Sequence, residues 1–246
     1  MGDFMSAILR FEEISKTFGK VQALNKLTCQ FPENKIIGLI GANGAGKTTL
    51  MRLIIRLLSP DCGCIYLNDT PIHSLKNETF PIAFIPDVPI YYEELSVSEH
   101  LAFICAMYNT QSQKESLIQA LELTEHLDKV PSTLSKGNKQ KLSIACALLR
   151  NYEILLADEP FSGLDPKQIK IFKDILLENK KRGKTVILST HILDMIESLC
   201  DEFIMIDRGE LIAQGTFDHI AANNQMFATL EELYLYLAER ESAKGT

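Results

Sequence analysis

A continuous apolar run, Ile36-Ile37-Gly38-Leu39-Ile40, leads straight into Gly41-Ala42-Asn43-Gly44-Ala45-Gly46-Lys47-Thr48-Thr49. Apolar residues then recur at Leu50, Leu53, Ile54 and Leu57, spaced i, i+3, i+4 and i+7. The unbroken run predicts a strand buried on both faces, and the later spacing predicts one apolar face of a helix. Between them the turn fits the pattern G-x-x-x-x-G-K-[ST] in full. Its glycines let the backbone wrap a phosphate closely, and successive N–H groups at a helix N-terminus supply positive potential. Lys47 is expected to reach the β- and γ-phosphates of a nucleotide, and the Thr48 hydroxyl to ligate Mg²⁺. The motif alone leaves kinases, GTPases and ATPases open.

The remaining pattern supplies an architecture around this unit. Short β-rich runs at residues 8–14 and 25–31 precede the loop and predict an N-terminal antiparallel β part. Buried-looking runs at residues 153–157, 185–189 and 202–206 are separated by helical segments, which predicts a mostly parallel sheet with crossover helices. Asp207-Arg208-Gly209 turns the chain into a hairpin through residue 213. Pro86 and Pro89 break the α/β pattern. Beyond them Ser96 and Glu99 have capping-box spacing, and Leu101, Ile104, Cys105 and Tyr108 form a helical stripe. After a polar gap, a second helical stretch is expected through Leu127. A helix from Ser135 carries its stripe at Leu142, Ala145, Cys146 and Leu149. A last helix, with Thr229 and Glu232 at capping-box spacing, presents Leu230, Leu233, Tyr234 and Leu237 to its own domain or to a partner. The expected organisation is one domain over residues 1–246: a core lobe of 1–87 and 135–222, a helical insertion of 88–134 and a helical tail of 223–246.

Asp158 and Glu159 end the apolar strand of residues 154–157, where a parallel strand opens toward a ligand crevice. Asp158 can hold the Mg²⁺ shell, and Glu159 is placed to polarise an attacking water. The plain alternative is an exposed acidic pair at a strand end. His191 follows the strand of residues 185–189 and so reaches the same crevice.

Composition narrows the class. The chain has 246 residues, 46% of them hydrophobic and 23% charged, ordinary for a globular protein with a sizeable core. A formal net charge of -7 argues against a nucleic-acid partner, whose phosphates call for clustered Lys and Arg. No apolar stretch approaches the ~20 residues of a membrane-spanning helix. The N-terminus lacks the order of a signal peptide, although Met1-Gly2-Asp3-Phe4-Met5-Ser6 matches the loose myristoylation pattern. Six cysteines, with Cys62 and Cys64 the one close pair, read as reduced and mostly core thiols without a metal site. These features together lead to an expected cytoplasmic residence.

From about residue 8 to residue 215 the chain resembles the nucleotide-binding domains of ATP-binding cassette (ABC) ATPases, with the family's motifs in order. Phe18 sits where the family has an aromatic that stacks on adenine, though it could be a plain surface or core aromatic. Residues 41–49 are the phosphate loop. Leu134-Ser135-Lys136-Gly137-Asn138 is similar to the family's Leu-Ser-Gly-Gly-Gln signature, and Ser135 also reads as a helix cap. Ala157-Asp158-Glu159-Pro160 matches the Mg²⁺ and general-base segment. Ser162-Gly163-Leu164-Asp165 matches the loop that couples two sites across a dimer. Ser189-Thr190-His191 matches the switch histidine, which in the family contacts the γ-phosphate.

The resemblance implies a P-loop NTPase core with an N-terminal antiparallel β subdomain and an inserted α-helical subdomain. It implies ATP and Mg²⁺ as ligands, with Ser135, Lys136, Gly137 and Asn138 serving a nucleotide held mainly by a second ABC ATPase subunit. Three positions depart from the pattern. Lys136 replaces a glycine and adds positive charge. Asn138 replaces a glutamine. Asp87, after the strand of residues 82–85, stands where the family often has a glutamine; it can meet Mg²⁺ but cannot donate as an amide does.

Within the family, Ile85-Pro86-Asp87, the signature region and Leu230-Glu231-Glu232-Leu233-Tyr234 look most like bacterial exporters of the Ecs and peptide-export groups. The implied role is the ATPase subunit of an exporter at the cytoplasmic face of the membrane. It would work with a separate transmembrane permease and as a homo- or heterodimer. A soluble ABC ATPase acting on nucleic acid or ribosomes is the rival, disfavoured by the lack of a second cassette, a long heptad arm or a basic stripe.

Overall fold

The structure is a computed structural model and describes residues 7–110, 113–222 and 227–244. The myristoylation-like hexapeptide, residues 1–6, lies outside the described residues. The chain is an α/β fold with two sheets. In the first, β1 (Ala7–Phe18) and β2 (Val21–Pro32) form a long antiparallel hairpin. After β3 (Ile36–Ile40), which belongs to the second sheet, β4 (Cys62–Leu67) and β5 (Thr70–Pro71) complete the order β2-β1-β4-β5. The predicted runs at 8–14 and 25–31 are thus the middles of longer strands. β4 escapes the hydrophobic pattern because Gly63, its second residue, lies between two cysteines and shortens the apolar run. Gly63 has φ +85, and a Cβ there would lie 2.3 Å from the Glu12 carbonyl oxygen, at the irregularity in the β1–β4 register.

The second sheet adds β6 (Ile82–Ile85), β7 (Ile154–Asp158), β8 (Thr185–Ser189), β9 (Glu202–Asp207) and β10 (Glu210–Gly215), in the order β10-β9-β3-β8-β7-β6. All its pairings are parallel except the β9–β10 hairpin. Alternation along each strand divides two cores. Ile37, Leu39, Leu156 and Ile204 face α1 (Lys47–Ile54) and the antiparallel sheet. Ile36, Ile40, Leu155 and Met205 face the layer of the remaining helices.

Those helices are α2 (Val97–Tyr108), α3 (Lys114–Ala120), α4 (Lys136–Leu148), α5 (Pro166–Lys181), α6 (Asp194–Glu197), α7 (Phe217–Ala222) and α8 (Leu230–Lys244). The capping box of α2 forms, with Ser96 accepting from the Glu99 N–H and Glu99 accepting from the Ser96 N–H. Two expectations need correction. α1 stops at Ile54, and Arg56 turns left-handed at φ 61, so Leu57 leaves the stripe and is exposed. The second helical stretch ends at Ala120 rather than Leu127, because Glu122 adopts φ 53 and a 3₁₀ turn, Thr124–His126, follows. The tail helix packs on its own domain, burying Leu230, Leu233, Tyr234 and Leu237.

All six cysteines are free thiols; Cys29 and Cys105 are buried, whereas Cys62 is exposed. No helix among the described residues is long and apolar enough to cross a membrane.

Candidate active site

Parallel strands bring residues 41–49, Asp87, Asp158, Glu159 and His191 to one end of the sheet. Leu39 and Asp158 both pair with Ser189, and Ile85 pairs with Ala157, so the segments that follow β3, β6, β7 and β8 emerge side by side. The segment after β3 is the predicted phosphate loop. Gly46 caps α1 at φ 109, and a Cβ there would lie 2.6 Å from the Ala23 carbonyl oxygen. A Cβ at Gly41 would lie equally close to the Ile206 carbonyl oxygen. The loop is therefore clamped between the β1–β2 hairpin and the end of β9, and only glycine fits at its two ends. Ala45 N–H closes a turn onto Ala42, and the Gly209 N–H donates to the Ala45 carbonyl. Ala42, Asn43 and Gly44 stay exposed along the outer side of the loop, and Thr49 is half-buried on α1.

Lys47 is buried, and its ammonium donates to the Gly41 and Ala42 carbonyls at 2.5 and 3.1 Å. Burial pulls its pKa below the ordinary lysine value, while the Glu159 and Asp158 carboxylates act in the opposite sense. The Thr48 hydroxyl donates to Asp158 Oδ2 at 2.8 Å. Thr48, Asp158 and Asp87 line one cavity of about 570 Å³. A hydroxyl and two carboxylates are the oxygen donors that Mg²⁺ takes, so this set fits the ion.

The structure joins Glu159 to His191. Glu159 takes the left-handed conformation, φ 46, and its N–H donates to the Ser189 carbonyl. A non-glycine residue held there is strained, as residues at reactive centres often are. Its Oε1 accepts from the His191 backbone N–H at 3.0 Å and lies 2.9 Å from the His191 Nδ1. Its Oε2 accepts from the Thr190 hydroxyl at 3.1 Å. Thr190 is a site residue that the sequence marks only as a neighbour of His191.

The signature residues belong to a different network. Ser135 caps α4 and accepts from the Asn138 N–H at 3.3 Å. A Cβ on Gly137 would lie 2.6 Å from the Gly163 carbonyl oxygen, and a Cβ on Gly163 would lie 2.9 Å from the Lys136 Cγ. The Asn138 amide sits 2.8 Å from His126 Nε2. Gln140 donates to the Pro160 carbonyl. The segment after Glu159 is thus fastened to α4. Among the described residues, no hydrogen bond or ion pair joins Ser135, Lys136, Gly137 or Asn138 to the phosphate loop. Phe18 is half-exposed at the end of β1, with the Lys16 ammonium 5.7 Å from its ring centre. One contact was invisible in the sequence: the Ala42 N–H donates to the Tyr234 hydroxyl of α8 at 2.6 Å.

Known proteins resemble this chain over most of its length. The family model described as "ABC transporter" matches residues 24–162. The ABC-type transporter ATP-binding protein EcsA of Bacillus subtilis (strain 168) is 35% identical over 243 residues, covering 96% of this chain and 98% of EcsA. The methionine import ATP-binding protein MetN of Pasteurella multocida (strain Pm70) is 34% identical over 233 residues, covering 89% of this chain and 68% of MetN. A solved structure of an ATP-binding subunit of an ABC transporter superposes with a TM-score of 0.86 at 34% identity, covering 94% of this chain and 99% of that one.

Proposed function

This chain belongs to the ABC transporter family of ATP-binding, ATP-hydrolysing domains, and from that premise we propose that it powers a bacterial exporter through a separate transmembrane permease. The observation that carries the proposal is the division of the site residues into two groups. Lys47, Thr48, Asp158, Glu159 and His191 gather at the strand edge, while residues 135–138 are fastened to the segment around Gly163. One chain then offers a phosphate loop and, on other elements, the signature that completes a second subunit's site. Two copies, or one copy and a homologous subunit, close head to tail around two ATP molecules.

In each closed site the N–H groups of the phosphate loop that make no bond within the chain, together with the Lys47 ammonium, hold the phosphates. Thr48, Asp158 and Asp87 would hold Mg²⁺, which would neutralise phosphate charge. Phe18 stacks on the adenine. Glu159 orients the attacking water and takes its proton. His191 keeps Glu159 in place before closure and contacts the γ-phosphate after it. Catalysis on this scheme is mostly positioning and charge stabilisation.

The permease docks on the face between β6 and α2. Val88, Ile90, Tyr92 and Phe103 are exposed there beside a cavity of about 240 Å³. An apolar helix end of a membrane subunit would cover this otherwise unexplained surface. That docking places the chain at the cytoplasmic face of the membrane. The exporter direction is supported by the likeness of the Asp87 loop and the tail to Ecs-type and peptide-export ATPases. A methionine import ATP-binding protein is 34% identical against 35% for EcsA, and the vesicle assay below distinguishes the two directions.

Lys47→Ala measured by calorimetry tests the site: ATP binding disappears, whereas unchanged affinity would overturn the phosphate-loop assignment. Purification from solubilised membranes tests the partner. A multi-span protein is expected to accompany the parent chain and to be lost from Ile90→Asp; co-purifying ribosomes or nucleic acid would overturn the transport role. Nucleotide-dependent uptake by inside-out vesicles would support export, and uptake by right-side-out vesicles would refute it.

A further inference from the structure

We propose that Tyr234 is a positioning residue for the phosphate loop, and that α8 braces the nucleotide site from within the same chain. The inference rests on the reading of residues 41–49 as the phosphate-binding loop. The Tyr234 hydroxyl accepts the Ala42 N–H at 2.6 Å, across 192 positions of sequence. The same dipeptide, Gly41-Ala42, supplies both carbonyls that hold the Lys47 ammonium. The Ala42 N–H shares its peptide plane with the Gly41 carbonyl, so fixing that plane fixes the nearer of the two acceptors that hold the Lys47 side chain.

The brace is well seated. Leu230, Leu233 and Leu237 are buried, and the Leu230 N–H donates to Glu197 Oε2 at 3.1 Å. Glu197 ends α6, the helix that follows His191. One helix therefore grips the phosphate loop through Tyr234 and the segment behind His191 through Leu230. Gly41, Ala42, His191, Asp194 and Tyr234 line a common cavity of about 300 Å³ between them. Burial raises the Tyr234 pKa, with the Ala42 N–H acting in the opposite sense, so the braced phenol is neutral at ordinary pH.

A loop held in its binding shape loses less freedom when it closes on phosphate, so the brace raises affinity without touching the nucleotide. Tyr234→Phe keeps the ring and deletes only the acceptor. The Kd for ATP is expected to rise about threefold to tenfold, in line with the loss of one hydrogen bond. The KM for ATP is expected to rise by a similar factor, and kcat to change by less. A purely structural role would lower the melting temperature and leave Kd and KM at parent values; that result overturns the proposal.

Amide hydrogen exchange on the parent protein gives an independent readout. Slow exchange at Ala42 without nucleotide is expected, and exchange as fast as at exposed Asn43 and Gly44 would overturn the bond itself. Lys47→Ala separates the two readings. Binding lost in Lys47→Ala but unchanged in Tyr234→Phe defeats the brace alone. Binding retained in Lys47→Ala defeats the phosphate-loop assignment beneath it.

Discussion

Glu159 Oε1 lies 3.0 Å from the His191 backbone nitrogen and 2.9 Å from its ring Nδ1, so one carboxylate oxygen takes both contacts from a single residue. β7 and β8 are neighbours, with Asp158 opposite Ser189, so Glu159, one residue past β7, falls within reach of Thr190 and His191, the first two residues past β8. The side chain proposed to activate water is thereby restrained by the residue proposed to contact the γ-phosphate.

Glu159→Gln retains shape and hydrogen-bond capacity but removes the base. Its ATPase rate should fall by about 100-fold or more, the usual worth of a positioned base, with ATP binding kept. An ATP-dependent dimer should appear in size-exclusion chromatography. A monomer that hydrolyses ATP at the parent rate would remove Glu159 from the mechanism.

Thr48→Val keeps the β-branched shape and deletes the hydroxyl that donates to Asp158. Apparent Mg²⁺ affinity, read by titrating the ion in an ATPase assay, should drop by roughly 10- to 100-fold. An unshifted Mg²⁺ curve would separate Thr48 from the metal.

Gly163→Ala places a methyl group 2.9 Å from the Lys136 Cγ at φ +78. The left-handed conformation alone costs about 1–2 kcal/mol for alanine. The expected result is a lower ATPase rate, because Lys136 and its neighbours must shift. ATP affinity of the isolated chain should stay at the parent value, since Lys47 and its loop are untouched. Equal loss of affinity would show that the signature acts within its own chain.

His126 carries the pH prediction. Its pKa is lowered by burial, then by the Lys129 and Lys141 charges, with Glu125 opposing. Between the lowered folded value and the unfolded value of about 6.5, the unfolded chain binds more protons. The stability that neutral His126 contributes is therefore fully present above about pH 6.5 and is lost as pH falls through the folded pKa. Melting temperature measured from pH 7.5 to 5 should decline less in His126→Gln than in the parent. Superimposable profiles would refute the linkage.

Ser96→Ala removes the acceptor that caps α2. A loss of about 1 kcal/mol is expected, seen as a melting temperature about 2–4 °C lower. Activity of the purified subunit should be retained, because α2 packs away from the phosphate loop.

Much of this molecule is legible in one dimension because its signals are local. The run at residues 36–40 reports burial on both faces. The glycines at 41, 44 and 46 report a backbone no other residue fits, and Ser96 with Glu99 closes a cap within four residues. Asp158 and Glu159 are readable as reactive because a parallel strand must end at the crevice. Other features depend on what arrives from far along the chain. Gly63 hides β4, since its need for a bare backbone comes from β1. Leu57 fits the helical spacing but lies beyond the point where Arg56 turns the chain. The fastening of Gly137 to Gly163, and of Ala42 to Tyr234, joins segments whose separation in sequence carries no periodic signal. Local steric and hydrogen-bond rules therefore determined the elements and their motifs. Only tertiary packing decided which motifs meet, because a contact between distant segments depends on sheet order and on which face each helix buries.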